Sequence, residues 1–204
     1  MKFHSTRDAA KIGYDSAVVI KQGLAADGGL FVPESIPALT EEEISALRHA
    51  DYATRAATIL GKYLTDYTHE ELLADCRAAY AADSFVGGAA PLVSIDETIS
   101  SLELWHGPTA AFKDMALQIM PRLLSRALIK TGETRTALIL VATSGDTGKA
   151  AFEGNKDIPG IKIMVFYPVD GVSRVQKLQM ATQTGSNVEV CAIRGNFDDA
   201  QSGV

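Results

Sequence analysis

The sequence predicts an α/β protein in which a small N-terminal domain precedes a domain with a parallel or mixed β-sheet flanked by helices. From about residue 101, apolar strand-like runs alternate with amphipathic helical stretches, which is typical of a parallel sheet covered by helices. Earlier in the chain, turn signals separate short helices. The 204 residues, 47% of them hydrophobic, can bury one large core or two modest ones. We therefore predict one domain at 1–90 and the incomplete beginning of a second at 91–204.

Short elements account for the N-terminal region. Asp27–Gly29 forms a turn signal, and two capping boxes, Thr40 with Glu43 and Thr68 with Glu71, predict helix starts. The stretch SFVGGAAP at residues 84–91 has the glycine and proline of a linker. We expect it to join the two domains.

The second region has the order of a βαβαβ unit. Buried strands are predicted at 136–143, 161–167 and 187–193, with helices beginning at Gly145 and Ser173 between them. Such a three-strand parallel run would leave a sheet edge and face uncovered, so we expect more of this domain beyond the sequence given.

An apolar helical seam over 115–128 precedes the first of these strands. It contains Pro121, which removes a backbone donor and should kink the helix, at a cost of about 3 kcal/mol unless packing compensates.

Composition excludes several function classes. The chain has 19 Lys and Arg against 25 Asp and Glu, a net charge of −6, which disfavours nucleic acid as a partner. It shows neither a signal-peptide core nor an apolar run near the roughly 20 residues of a membrane span, so we expect a cytoplasmic protein without membrane partners. Cys76 and Cys191 follow no disulfide or zinc pattern, and both are expected to be small core residues.

Two stretches carry candidate chemistry. LWHGPTAAFKDMALQ at 104–118 places Lys113 at a predicted helix start, and ATSGDTGKAA at 142–151 follows a buried strand and opens a helix. Small residues and a helix N-terminus favour binding of a carboxylate or phosphate there. The loop is not a Walker A motif, because Thr143 and Ala150 replace required residues, and its glycine spacing does not fit the dinucleotide fingerprint.

A lysine and an anion-binding loop together meet the needs of pyridoxal phosphate chemistry. The amine must be unprotonated to form a Schiff base, and a helix start with partial burial favours that state. The loop would hold the amino-acid carboxylate, the pyridine ring would act as the electron sink, and the released lysine would carry a proton. Lys113 is therefore the predicted covalent anchor and base.

The motifs resemble, in order, those of the threonine synthase family over nearly the whole chain. DGGL together with HGPT-x-AFKD is the specific part, whereas FKD and SGDTG are shared more loosely with other fold-type II pyridoxal enzymes. The stretches are HSTR (4–7), GLAADGGLFVPESIP (23–37), LELWHGPTAAFKD (102–114), ATSGDTG (142–148), YPVDGVSRVQKLQM (167–180) and GNFDDAQ (195–201).

The resemblance implies the pyridoxal 5'-phosphate-dependent conversion of O-phospho-L-homoserine and water to L-threonine and phosphate, the last step of threonine biosynthesis. The AFKD lysine, Lys113, would bear the cofactor. The SGDTG loop would bind the substrate carboxylate and border the cofactor's 3'-oxygen through Ser144, Gly145, Asp146 and Thr147. Many relatives of the wider fold carry Asn at the Asp146 position, and a carboxylate can donate there only when protonated.

Other polar residues have simpler interpretations. His106 either contacts the cofactor region or is a turn histidine bonded to backbone. HEELL at 69–73 lacks the second histidine of a zinc motif, so no metal site is predicted. Asp198 and Asp199 are expected in the first turn of a helix.

Three hypotheses remain open at the level of sequence. The first is a threonine synthase of which this chain is an N-terminal part, inactive by itself because the cofactor-phosphate loop and the pyridine-nitrogen contacts are expected downstream. The second is another fold-type II lyase or a threonine synthase-like phospholyase. The third is a non-catalytic truncated paralogue. The oligomeric state is left open.

Overall fold

The computed structural model describes residues 1–143 and 145–204, which form two compact units. Residues 1–79 and 126–134 make up the first unit, and residues 80–125 and 135–204 make up the second. The domain boundary near residue 90 stays a prediction.

The first unit consists of a small antiparallel sheet and short helices. Its strands pair Phe3 with Pro33 and Ser5 with Phe31. Its core is built where two helices pack together and bury Ala57, Leu72 and Cys76 completely. The elements are β1 (Phe3–Ser5), α1 (Ser16–Gln22), β2 (Phe31–Pro33), α2 (Glu41–Leu47), α3 (Tyr52–Tyr63) and α4 (His69–Ala79).

Both predicted capping boxes are confirmed. Thr40 Oγ1 accepts from the Glu43 amide at 3.2 Å, and the Glu43 carboxylate accepts from the Thr40 amide at 2.8 Å. Thr68 and Glu71 form the same reciprocal pair at the start of α4. Four orphan donors at two helix starts are thereby satisfied by side chains next to them in sequence.

The two N-terminal motifs meet in space. The hydroxyl of Ser5, in HSTR, donates to Asp27 Oδ1 at 2.7 Å, and the amide of Gly29, in DGGL, donates to the same oxygen at 2.8 Å. A Cβ on Gly29 would lie 2.1 Å from the Ser5 hydroxyl, so only glycine fits there. These motif residues therefore hold β1 against the turn before β2.

The second unit is an α/β unit around a parallel sheet in the order β5-β6-β7. Its register pairs Ala137 with Ile161 and Ile163 with Val188, and the predicted strands are confirmed to within a residue. The elements are β3 (Leu92–Ser94), β4 (Ser100–Leu102), α5 (Asp114–Leu117), α6 (Met120–Lys130, whose last residues belong to the first unit), β5 (Ala137–Ala142), α7 (Asp146–Asn155), β6 (Ile161–Pro168), α8 (Arg174–Ala181), β7 (Val188–Ile193) and α9 (Phe197–Gly203).

The central strand β6 supplies the core of this unit. Ile163 and Val165 are buried among Phe152 of α7 and Met180 of α8. The outer strands β5 and β7 are only partly covered. Gly145 and Ser173, predicted as helix starts, are the N-cap residues of α7 and α8.

Three expectations need correction. The seam over 115–128 is not one kinked helix: α5 ends at Leu117, and Pro121 lies in the first turn of α6, where no amide donor is needed. The stretch 84–91 is not a free linker, because Phe85 is 1% exposed and packs edge-on against Tyr80. Cys191 is not a core residue, since it lies partly exposed on β7.

Cys76 is buried as expected, and burial raises the pKa of its thiol to about 11. None of the helices in the part of the chain that the structure describes is long and apolar enough to cross a membrane.

Candidate active site

Lys113 is the N-cap residue of α5, a helix of one turn, and has helical dihedral angles. Its side chain is partly buried, and Nζ lies 4.7 Å from the centroid of the Phe112 ring. Among the described residues, none forms a hydrogen bond or ion pair with this amine.

The residue after Lys113 is a buried acid that sequence reasoning did not single out. Asp114 has no exposed surface, and its carboxylate accepts from the amide and the hydroxyl of Thr109, both at 2.8 Å. The sequence signal was the final D of AFKD, which has no evident partner until the turn is folded.

His106 joins two segments next to the Lys113 turn. Nδ1 lies 2.7 Å from the Val86 carbonyl oxygen and Nε2 lies 2.7 Å from the Glu103 carboxylate. The hydrogen bond to Glu103, and then the one to Val86, raise the pKa of His106. Both nitrogens are thus engaged by the protein, as in the turn-histidine interpretation. A role of His106 in cofactor binding stays a prediction.

The anion-binding loop after β5 is organised by Thr143, which is buried. Its hydroxyl oxygen accepts from the amides of Gly145 at 3.0 Å and Gly148 at 2.9 Å. A Cβ on Gly148 would lie 2.4 Å from Cγ2 of Thr143, so this close approach requires glycine. Ser144, predicted to bind substrate, lies outside the described residues.

Asp146 and Thr147 begin α7 and are exposed. None of the described residues accepts a hydrogen bond from either amide. A helix start with open amide donors stabilises an anion. Two of the four amides from 145 to 148 are thus used internally, and the other two have no acceptor among the described residues.

Gln176 of α8 reaches this loop, which was not foreseen from the sequence. Its Oε1 accepts from the Ser173 amide, which turns Nε2 toward the loop, 3.4 Å from Asp146 Oδ1. A Cβ on Gly145 would lie 2.2 Å from the same nitrogen. Gly145 therefore lets α8 pack against the loop.

A cavity of about 410 Å³ opens beside the loop at the end of β5. Thr143 and Thr147 line it on one side, and Phe197 and Gln201 of α9 on the other. It lies next to the open amide of Thr147 and has room for a small molecule.

The helix after Lys113 packs directly on the helix that the loop opens. A Cβ on Gly154 of α7 would lie 1.8 Å from the carbonyl oxygen of Leu117 in α5. This backbone contact fixes the spacing between α5 and α7. Two motifs about 30 residues apart in sequence are thereby brought into one structural unit.

No group of three or more His, Cys, Asp or Glu side chains that could hold a metal ion is found in residues 1–143 and 145–204.

Comparison with known proteins shows which family this chain resembles. Residues 2–80 match the family model described as threonine synthase N terminus. Threonine synthase from Pseudomonas aeruginosa is 40% identical over 206 residues, an alignment covering 98% of this chain and 42% of that protein. The chain matches the N-terminal portion of threonine synthases.

Solved structures agree with the sequence comparison. The crystal structure of pyridoxal phosphate-bound threonine synthase from Brucella melitensis aligns with a TM-score of 0.91 at 39% identity, covering 99% of this chain and 43% of that one. Threonine synthase from yeast aligns with a TM-score of 0.90 at 32% identity, covering 98% and 42%. The predicted mixed α/β class is confirmed, and the chain spans less than half the length of these threonine synthases.

Proposed function

We propose that this chain supplies the lysine and the carboxylate-binding loop of a threonine synthase of fold-type II. The reaction is the pyridoxal 5'-phosphate-dependent conversion of O-phospho-L-homoserine and water to L-threonine and phosphate, the last step of threonine biosynthesis. The observation that carries the proposal is the packing of α5, with Lys113 at its start, against α7, which the anion-binding loop opens.

The described residues fit pyridoxal phosphate. The Lys113 amine is free of described ion-pair partners and so is available for covalent attachment. Asp146 is exposed at the start of α7, where its side chain could contact the 3'-oxygen of the cofactor. When bound, the cofactor supplies an electron sink for the carbon atoms of the substrate.

The chain's own residues have separate roles in this proposal. Lys113 Nζ would hold the cofactor and, once released from it, would carry a proton to and from the substrate carbons. The amides of Asp146 and Thr147, with Ser144, hold the substrate carboxylate at the positive end of α7. Gly145 lies beside them, and its own amide donates to the Thr143 hydroxyl. His106 borders the cofactor region from the turn before Lys113. The substrate is a small molecule, and the cytoplasmic location remains a prediction.

The proposal is tested by joining this chain to the remaining part of the Pseudomonas aeruginosa enzyme and measuring phosphate and threonine formed from O-phospho-L-homoserine. Lys113→Ala should lower turnover by about 10²–10⁴-fold or more, since this is the range for the loss of an acid–base group. It should also remove the visible absorbance of the bound cofactor. Lys177→Ala, at an exposed lysine of α8, is the matched control and should leave both unchanged. Undiminished turnover in Lys113→Ala would overturn the proposal.

A further inference from the structure

The turn that carries Lys113 is closed by a single carboxylate. Asp114 Oδ2 accepts from the Thr109 amide and Oδ1 from the Thr109 hydroxyl, each at 2.8 Å. These two bonds close residues 109–114 into a ring in which Lys113 is the last residue before the carboxylate. The peptide that bears the amine is therefore tied at both ends.

The carboxylate is also confined by packing. A Cβ on Gly107 would lie 2.6 Å from Asp114 Oδ2 and 2.9 Å from the Phe85 ring. The glycine of HGPT thus makes room for the acid of AFKD. A shift of Asp114 would require its neighbours to move, so the turn has little freedom.

Closing a turn with a buried carboxylate costs desolvation free energy. Removing a charge from water costs free energy unless the charge is paired and hydrogen-bonded, and the two hydrogen bonds from Thr109 offset part of that cost for Asp114. Only a carboxylate, however, offers two acceptor oxygens to an amide and a hydroxyl at once. The result is a fixed backbone at Lys113, whose amine lies 4.7 Å from the centroid of the Phe112 ring.

We infer that Asp114, held by Thr109, is a positioning residue that fixes the turn from which the Lys113 side chain extends. The inference rests on the proposed function, in which the Lys113 amine attaches the cofactor. Asp114 and Thr109 do not take part in the reaction in this inference. They hold the turn that carries Lys113 in place before the cofactor binds.

The test is reductive labelling of the joined enzyme described under the proposed function, first freed of cofactor, with pyridoxal 5'-phosphate and cyanoborohydride, followed by peptide mapping. The measured quantity is the ratio of label on Lys113 to label on exposed Lys177 of the same chain. Thr109→Val removes one donor to Asp114 and keeps the shape, which is gentler than replacing the acid. Thr109→Ser restores the donor. Thr182→Val, which removes a hydroxyl bond to the Leu178 carbonyl, is the control for general loss of stability.

We expect Thr109→Val to lower the labelling ratio by about 10-fold, and Thr109→Ser and Thr182→Val to stay within about twofold of the unmodified joined enzyme. Melting temperatures are recorded for all variants, because a purely structural role would lower the melting temperature without changing the ratio. An unchanged ratio in Thr109→Val overturns the inference and leaves the proposed function standing. Absence of any preference for Lys113 in the unmodified joined enzyme overturns the proposed function, and the inference falls with it.

Discussion

The hydrogen-bond partners of His106 determine the protonation state of its ring. Its two partners, the Val86 carbonyl and the Glu103 carboxylate, only accept hydrogen bonds, so both bonds form together only when both ring nitrogens carry hydrogen. The imidazolium is therefore the form that holds the turn before Lys113. This is the physical reason why the pKa of His106 is raised above 6.5.

The first prediction is a pH-dependent stability that involves His106. Because its folded pKa is raised, the stabilisation is fully present below the unfolded value of about 6.5 and is lost as pH rises through the folded value. At pH values below 6.5, Glu103→Gln should have a lower melting temperature than the unmodified chain. This difference in melting temperature should shrink as the pH rises through the folded pKa of His106. Glu189→Gln, at an exposed acid of β7, is the charge-matched control. A Glu103→Gln deficit that stays constant with pH would contradict the charged pair.

The second prediction concerns Thr147, at the start of α7 and in the wall of the cavity. Thr147→Val keeps the backbone amide and removes the side-chain hydroxyl, which we expect to be a second donor to the substrate carboxylate. In the joined enzyme it should therefore weaken binding of the amino-acid substrate by about 1.5–3 kcal/mol, the value of a hydrogen bond to a charged group, and change cofactor affinity much less. Spectroscopic titrations with substrate and with cofactor measure the two affinities separately. Equal losses of both would show that the donor does not face the carboxylate.

Functional residues could be predicted from the sequence when they belong to a recognisable motif. They could not be predicted when their role depends on a partner that comes close only in the folded protein. Lys113 and the 144–147 loop stand in recognisable stretches. Asp114 and Gln176 depend on neighbours that come close only after the turn closes and α8 packs. Thr143 served only to reject a Walker motif, although its hydroxyl organises the loop.

Among the elements, α5 and α7 make a close backbone contact near their C-terminal ends. Alanine in place of a helical glycine normally stabilises a helix by about 1 kcal/mol. At Gly154, however, the added Cβ would meet the Leu117 carbonyl oxygen at 1.8 Å, and this backbone group cannot rotate away. Tertiary contact therefore outweighs helix propensity at this position.

The third prediction follows from that contact. Gly154→Ala should lower the free energy of unfolding by about 1–3 kcal/mol, the usual cost of overpacking, measured by denaturant titration. Gly61→Ala in α3 is the matched control, since its Cβ would lie 3.6 Å from Leu72 in ordinary contact, and it should be neutral or stabilising. Similar effects of both substitutions would mean that α5 and α7 are not in close contact.

At the same scale, long periodic elements were predictable and short ones were not. The strands β5, β6 and β7 are apolar runs whose pattern is visible in a window of a few residues. The three-residue strands β1 to β4 are too short to show a period, and their pairing is set by contacts distant in sequence. Pro121 was recognised as a breaker, but a local pattern does not distinguish a kink from a new helix start.

For the whole molecule, the outer strands of the sheet leave apolar side chains in water. Leu138 and Leu140 of β5 and Val190 of β7 are exposed large hydrophobic residues. Leu92 and Leu102, paired across the β3–β4 hairpin, are exposed as well. Exposed apolar strands favour pairing with other chains, so we expect the purified 204-residue chain to associate or to be marginally stable.

The last prediction is that the 204-residue chain alone binds pyridoxal phosphate weakly and forms no threonine, although it carries Lys113. A lysine alone forms a reversible covalent bond of modest stability, and a dianionic phosphate needs a cradle of several backbone amides. In the described part of the loop, Thr143 occupies the amides of Gly145 and Gly148, and the proposed substrate carboxylate requires those of Asp146 and Thr147. Titration with cofactor, followed by borohydride reduction and peptide mapping, measures the binding, and release of phosphate from O-phospho-L-homoserine measures the activity. Stoichiometric labelling of Lys113 at low cofactor concentration, together with phosphate release, would show that these 204 residues hold a complete site.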